Sequence, residues 1–326
     1  MDAAELGDDV WGEDPTVNRL QEVAAERLGK EAALFVSSGT MGNLLGILVS
    51  ARSGQEIIAD ADSHTFLSEV GGAAALGGIQ IMPVRTEAGI MTPEQVTDAI
   101  REEDVHHPRT AAVAFEDTHN YHGGIAWPLS DLRAAADAAH AGGLLVHLDG
   151  ARLFNAAVAT GTDPRQIAAC ADTVTFCLSK GLGAPVGSVL LGPTEKIAEA
   201  KRWRKMLGGG MRQVGMLGAA GLFALDNMID RLAEDHANAR TLAEGLAEMH
   251  GTRIDLARVQ TNLVIFELER MAPAEFVAQC ERRGIKSAQI SRRQVRFVTH
   301  YGITATDIQE TLKVAAEVLA TKTRAE

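Results

Sequence analysis

Short apolar runs alternate with helix-length segments from Ala32 to Leu191, and this alternation constrains the fold more than any other feature of the chain. The runs are Ala32–Val36, Glu56–Asp60, Ile79–Val84, Thr110–Phe115, Leu144–Leu148, Thr173–Leu178 and Gly187–Leu191. Between and before them lie segments with helical spacing or caps. One runs from Val17 to Leu28, with Thr16 as the expected N-cap and Gly29 as the stop. Another, Met41 to about Ala51, is apolar nearly all round. A third runs through Leu67, a fourth opens at Thr92-Pro93, and a fifth covers Ser130–Ala141. Such alternation predicts an α/β fold, a mostly parallel sheet covered on both faces. In that architecture functional groups gather beyond the carboxyl ends of the strands. Gly39, Thr40, His64, His119, Asp149 and Lys180 all follow predicted strands closely.

The pattern changes after Met211. Helical stretches to Met228 and from Ile229 to Met249 precede a strand at Asn262–Leu268, a helix at Pro273–Arg283, a strand at Gln294–Thr299 and a helix to the end. This predicts a large domain over 1–228 and a small C-terminal α+β domain over 229–326. With 31 basic and 43 acidic residues the net charge is −12. A surface of that sign disfavours nucleic acid and anionic membranes as partners. The basic clusters Arg202-Trp-Arg204-Lys205 and Arg292-Arg293-Gln-Val-Arg296 are expected to be mostly solvated faces. No apolar run reaches the length of a membrane span, and the first residues lack the apolar core of a leader, so the expectation is a cytoplasmic protein. Cys170, Cys177 and Cys280 form no CxxC motif and are expected to be reduced core thiols.

Two strand ends carry the chemistry. Val146-His-Leu-Asp149-Gly-Ala-Arg152 ends in an acid with an arginine three residues on, and Thr173–Leu178 runs into Ser179-Lys180-Gly-Leu-Gly183. A lysine at one strand end beside an aspartate at another suits pyridoxal 5'-phosphate (PLP): the amine bonds the aldehyde and the acid keeps the pyridine nitrogen protonated. A plain Asp149–Arg152 ion pair accounts for part of the same pattern. Ser38-Gly39-Thr40 turns into a helix, which caps a core helix in the ordinary case and offers amides to a phosphate in the other. Glu116, Asp117, His119 and His122 lie close in sequence, but without further distributed ligands they predict no metal centre. His119 is read instead as a polar residue facing the cleft. His106-His107 is expected at the surface.

Ordered motifs along nearly the whole chain resemble the low-specificity L-threonine aldolases, fold-type I PLP-dependent enzymes of the beta-eliminating lyase/threonine aldolase family. They are Gly7-Asp-Asp-Val-Trp-Gly-Glu-Asp-Pro-Thr16, Lys30 to Asn43 with Ser-Ser-Gly-Thr-Met-Gly-Asn at its end, His64 with Glu69-Val-Gly-Gly72, and Thr118-His-Asn120. They continue with His147-Leu-Asp-Gly-Ala-Arg152, Leu178-Ser-Lys180-Gly-Leu-Gly183, Arg204 to Gln213 and Val295-Arg-Phe-Val-Thr-His300. The resemblance implies that Lys180 bonds the cofactor, that Asp149 meets its ring nitrogen, and that Gly39, Thr40 and the Met41 amide hold its phosphate, with Ser179 beside Lys180. His64 would lie against the ring, Arg152 and Arg296 would bind the substrate carboxylate, and His119 would sit near the substrate hydroxyl. Arg212, and Lys205 with it, would be further groups near the cofactor. Family members usually carry an arm with an Arg-Ser-Asp-Thr-Val-Thr motif before the Gly-Asp-Asp segment, and here six residues precede Gly7; weaker substrate affinity is the expectation.

The implied reaction is retro-aldol cleavage of threonine to glycine and acetaldehyde, with His119 or His64, directly or through water, as base and Lys180, His64 and His119 as the catalytic set. β-Elimination or racemisation on the same scaffold, and a non-catalytic homologue, are the alternatives. The resemblance also implies a homodimer or homotetramer.

Overall fold

The computed structural model describes residues 1–323, so the last three residues of the expected final helix lie outside the described residues. The chain divides into two compact units. The first comprises Met1–Thr118 and Trp127–Asp230; the second comprises residues 119–126 together with the chain from Arg231 onward.

In the first unit the elements run α1 (Pro15–Leu28), β1 (Ala32–Val36), α2 (Gly39–Leu48), β2 (Glu56–Asp60), α3 (His64–Leu67), α4 (Gly72–Gly77), β3 (Gln80–Val84), α5 (Pro93–Ala99) and β4 (Thr110–Glu116). They continue with α6 (Leu129–Ala141), β5 (Leu145–Asp149), α7 (Leu153–Thr160), α8 (Pro164–Ala168), β6 (Thr173–Cys177), β7 (Ser188–Gly192), α9 (Thr194–Met206) and α10 (Gly215–Asn227). The seven strands form one sheet in the order β1-β7-β6-β5-β4-β2-β3. β3, β2, β4, β5 and β6 are parallel, and β7 runs antiparallel to both β6 and β1. The α/β class and the mostly parallel sheet therefore hold, with one reversed strand. That reversal has a local cause: β6 and β7 are joined by a short glycine-containing connection with no helix, and only a crossover of a dozen or more residues returns a strand in parallel.

Helix α1 starts earlier than its sequence suggests. Asp14, not Thr16, is the N-cap: its carboxylate accepts the amides of Thr16 and Val17, and Pro15 occupies the first turn, where a missing N–H costs nothing. Asp14 is fully buried and also accepts from the Gly7 and Gly215 amides, which binds the N-terminal loop to the starts of α1 and α10. The basic cluster on α9 is solvated at Arg202 and Lys205, but Arg204 is only 2% exposed. Its guanidinium donates to the Phe35 carbonyl at 2.7 Å and to Asp9 at 2.8 Å, so the buried charge is paired and hydrogen-bonded.

The second unit contains α11 (Leu232–Ala247), β8 (Thr252–Arg253), β9 (Leu263–Leu268), α12 (Pro273–Glu281), β10 (Ala288–Gln289), β11 (Gln294–Val298) and α13 (Ala305–Thr323). Its antiparallel sheet has the order β10-β11-β9-β8. Phe266, Phe276 and Phe297 meet in its core, with Phe266 and Phe297 stacked at 5.7 Å. Cys170, Cys177 and Cys280 are buried free thiols. Among the described residues, no helix is long and apolar enough to cross a membrane.

Candidate active site

Parallel pairing places the carboxyl ends of β4, β5 and β6 on one edge of the first unit. Glu116 is in register with Asp149, and Asp149 with Thr175. Asp149 is 2% exposed. A carboxylate that deep needs donors, and it has two neutral ones: Asn43 Nδ2 at 2.8 Å and the Ala151 amide at 3.0 Å.

Asn43 reaches Asp149 because α2 lies unusually close to the sheet. A Cβ on Gly39 would stand 2.8 Å from Cys177 Sγ, one on Gly42 2.6 Å from Thr175 Cγ2, and one on Gly46 2.2 Å from the His147 ring. These three glycines share a helix face, and glycine is required there for want of room. Asn43 is itself 1% exposed, and all three of its polar functions are used. Its amide donates to Asp149 and, at 2.8 Å, to Glu69 Oε1; its carbonyl faces His147 Nε2 at 3.3 Å. His147 contacts Thr173 Oγ1 at 2.9 Å through its other nitrogen. Complete burial pushes the His147 pKa down to about 4, so the ring is neutral near neutral pH.

His64 opens α3 just beyond β2. Its backbone amide donates to Glu116 at 2.6 Å, and Nδ1 lies 2.9 Å from Glu69 Oε1. The hydrogen bond to Glu69 raises the His64 pKa, opposed by burial and assisted by the charges of Asp149, Glu69 and Glu116. Burial in turn raises the pKa of Glu69. Glu69 is held by a tight turn: Val70 and Gly71 both adopt positive φ, 56° and 67°.

Lys180 follows β6 and is partly buried, while Ser179 is exposed. The Ser179 amide donates to the Gly187 carbonyl, and the Lys180 carbonyl accepts from Gly183, which has positive φ. At the start of α2, Ser38 is the N-cap and its hydroxyl accepts the Met41 amide at 3.2 Å. Met41's amide is thus engaged, and the Gly39 and Thr40 amides are the ones without an intrahelical acceptor. Arg152 is partly buried at the start of α7, three residues beyond Asp149. Arg212 is exposed and pairs with Asp8, to which its Nε donates at 2.7 Å.

In the second unit, Arg296 on β11 donates to Asn120 Oδ1 at 2.8 Å, and burial lowers its pKa. Fully buried His119 bridges to Ile125 and packs its ring 4.6 Å from that of His122. β5, which ends at Asp149, pairs with β6, and Lys180 lies three residues beyond the end of β6. The residue pattern alone does not single out Asn43, Glu69 or His147. Asn43 lies inside an apolar helix, where a lone amide between Gly42 and Gly46 is the available signal.

The beta-eliminating lyase family model matches residues 1–269. The low-specificity L-threonine aldolase of Escherichia coli (strain K12) is 43% identical over 95% of this chain and 91% of its own length. Low-specificity L-threonine aldolase 1 of Arabidopsis thaliana is 41% identical over 98% of this chain and 91% of its own. Among solved structures, Leishmania major threonine aldolase has the same fold, with a TM-score of 0.79, 20% identity, and coverage of 95% of this chain and 91% of that one.

Proposed function

Because this chain belongs to the beta-eliminating lyase family, among its low-specificity L-threonine aldolases, we propose that it is a carbon–carbon lyase that cleaves L-threonine, L-allo-threonine and related β-hydroxy-α-amino acids to glycine and an aldehyde. The observation that carries this reading is the pairing of Asp149, buried and held among the described residues by neutral donors, with Lys180 just beyond the end of the adjacent strand.

The residues present fit PLP. Gly39 and Thr40 offer two uncapped amides at a helix N-terminus, suited to a phosphate dianion. Asp149 would face the ring nitrogen, and Lys180 would bond the aldehyde. When bound, the cofactor supplies an electron sink for the pair left by the broken Cα–Cβ bond.

The chain's own residues select that bond. Arg152 would hold the α-carboxylate through its guanidinium fork, which fixes the substrate's rotation about its amine. With the carboxylate held, Cα–Cβ is the bond presented for cleavage. His64 would take the proton from the β-hydroxyl at Nε2, directly or through water; a histidine has the right basicity for this near neutral pH. From the family resemblance alone, we assign Arg296 to the same carboxylate and His119 to the side-chain hydroxyl. The same resemblance supports Arg212 and Ser179 as further groups toward the cofactor, assembly into a homodimer or homotetramer, a cytoplasmic location, and a place in threonine breakdown and glycine formation.

The test is to incubate the purified protein with PLP and threonine and measure acetaldehyde, glycine and 2-oxobutyrate. Acetaldehyde and glycine in equal amounts without keto acid support the reading. Keto acid points to β-elimination instead, and no product points to a non-catalytic homologue.

A further inference from the structure

His64, Glu69, Asn43 and Asp149 form a continuous hydrogen-bonded chain whose proton positions follow from its geometry. Glu69 Oε1 and Asp149 Oδ2 both lie 2.8 Å from Asn43 Nδ2. Carboxylate oxygens on both sides fix the amide: the flipped rotamer would aim its carbonyl at two acids. Asn43 Oδ1 then faces His147 Nε2, which must carry that ring's hydrogen, leaving His147 Nδ1 to accept from Thr173. Glu69 Oε1 already accepts from Asn43, so it accepts a second time from His64, whose hydrogen is therefore on Nδ1. His64 Nε2 is left bare, with a lone pair to offer.

We propose that Glu69 and Asn43 are positioning residues that fix the tautomer and basicity of His64 and join it to Asp149. This rests on the reading of His64 as the proton acceptor and goes beyond it by naming what makes His64 fit for the task. A carboxylate behind Nδ1 holds the imidazole in one tautomer and stabilises the imidazolium formed when Nε2 takes a proton, as in other carboxylate–histidine pairs. Asn43 keeps Glu69 in place and gives Asp149 a neutral donor, so that the two buried acids are bridged without a cation between them. The groups facing His64 are Glu69 from the turn before α4, Asp149 from β5 and Glu116 from β4, all acidic. Every one of them favours the protonated ring.

The experiment is nitrogen NMR of the holoenzyme labelled with 15N-histidine, on the wild type and on Glu69→Gln, with His64 assigned by its loss in His64→Asn. In the wild type, His64 is expected to be protonated at Nδ1 and bare at Nε2 above its pKa, and to titrate above the ordinary value of 6.5. In Glu69→Gln the His64 pKa should fall toward that ordinary value. The acid limb of kcat/KM should move down in pH with it, and the plateau should drop by roughly ten-fold or more. A wild-type ring protonated at Nε2 would overturn the proposal without recourse to any variant. So would a His64 pKa and acid limb that Glu69→Gln leaves unmoved. If threonine yields no aldehyde while the NMR result is as expected, the functional reading fails and the positioning of His64 stands.

Discussion

Glu69 and Asp149 are held by the two hydrogens of a single amide, that of Asn43, at 2.8 Å each. The two acids come from distant parts of the chain, one from a turn between short helices and one from the end of β5. Their shared donor ties the two acids together through Asn43.

Replacing Asn43 by leucine, similar in size but without donors, should therefore be costly. Asp149 would keep only the Ala151 amide and Glu69 only His64. Leaving buried carboxylates short of a donor destabilises by about 2–4 kcal/mol. Urea unfolding of the wild type and Asn43→Leu measures this directly; a change under about 0.5 kcal/mol would mean that the amide is not holding the acids.

Val70 gives a prediction of opposite sign. It is 98% exposed and sits at φ 56°, a region that β-branched residues avoid. Asparagine tolerates this conformation and carries no glycine-like entropy cost, so Val70→Asn should stabilise by about 1 kcal/mol. Thermal or urea unfolding checks the sign. Because the turn positions Glu69, the His64 signals should be unchanged in the variant.

His147 makes stability pH-dependent. Its folded pKa is about 4, below the ordinary 6.5 of the unfolded chain. Between these values the unfolded chain binds a proton that the folded ring refuses. The contribution is therefore present above pH 6.5 and is lost as pH falls toward 4, amounting to roughly 3 kcal/mol over the window. Stability measured across it should fall less steeply in His147→Gln than in the wild type. Parallel slopes would show that His147 is not held neutral.

Much of this was legible in the sequence because period and punctuation are local signals. The apolar runs located all seven strands of the first sheet to within a residue or two, and Thr92-Pro93 marked the start of α5. The strand ends delivered Asp149 and Lys180 because parallel pairing follows from the crossover lengths. What stayed hidden depends on approach distances. Helix α2 read as apolar and buried, yet Gly39, Gly42 and Gly46 press it onto β5 and β6 closely enough for Asn43 to reach Asp149, which no periodicity expresses. Arg204 lay in a basic run that reads as solvated, and its burial follows from partners far away in the chain, Asp9 and the Phe35 carbonyl. The N-cap of α1 lies two residues before the expected Thr16, because Asp14 and Thr16 are both good capping residues.

The role proposed for Lys180, just beyond β6, is to bond the cofactor. It is tested most directly by incubating the protein with PLP, reducing with borohydride, digesting, and locating the added mass by mass spectrometry. The label is expected on the peptide containing Lys180 in the wild type, with loss of both that label and the visible absorption band of lysine-bound cofactor in Lys180→Ala. A label on another lysine, Lys205 for instance, or an absorption band that survives in Lys180→Ala, would contradict it.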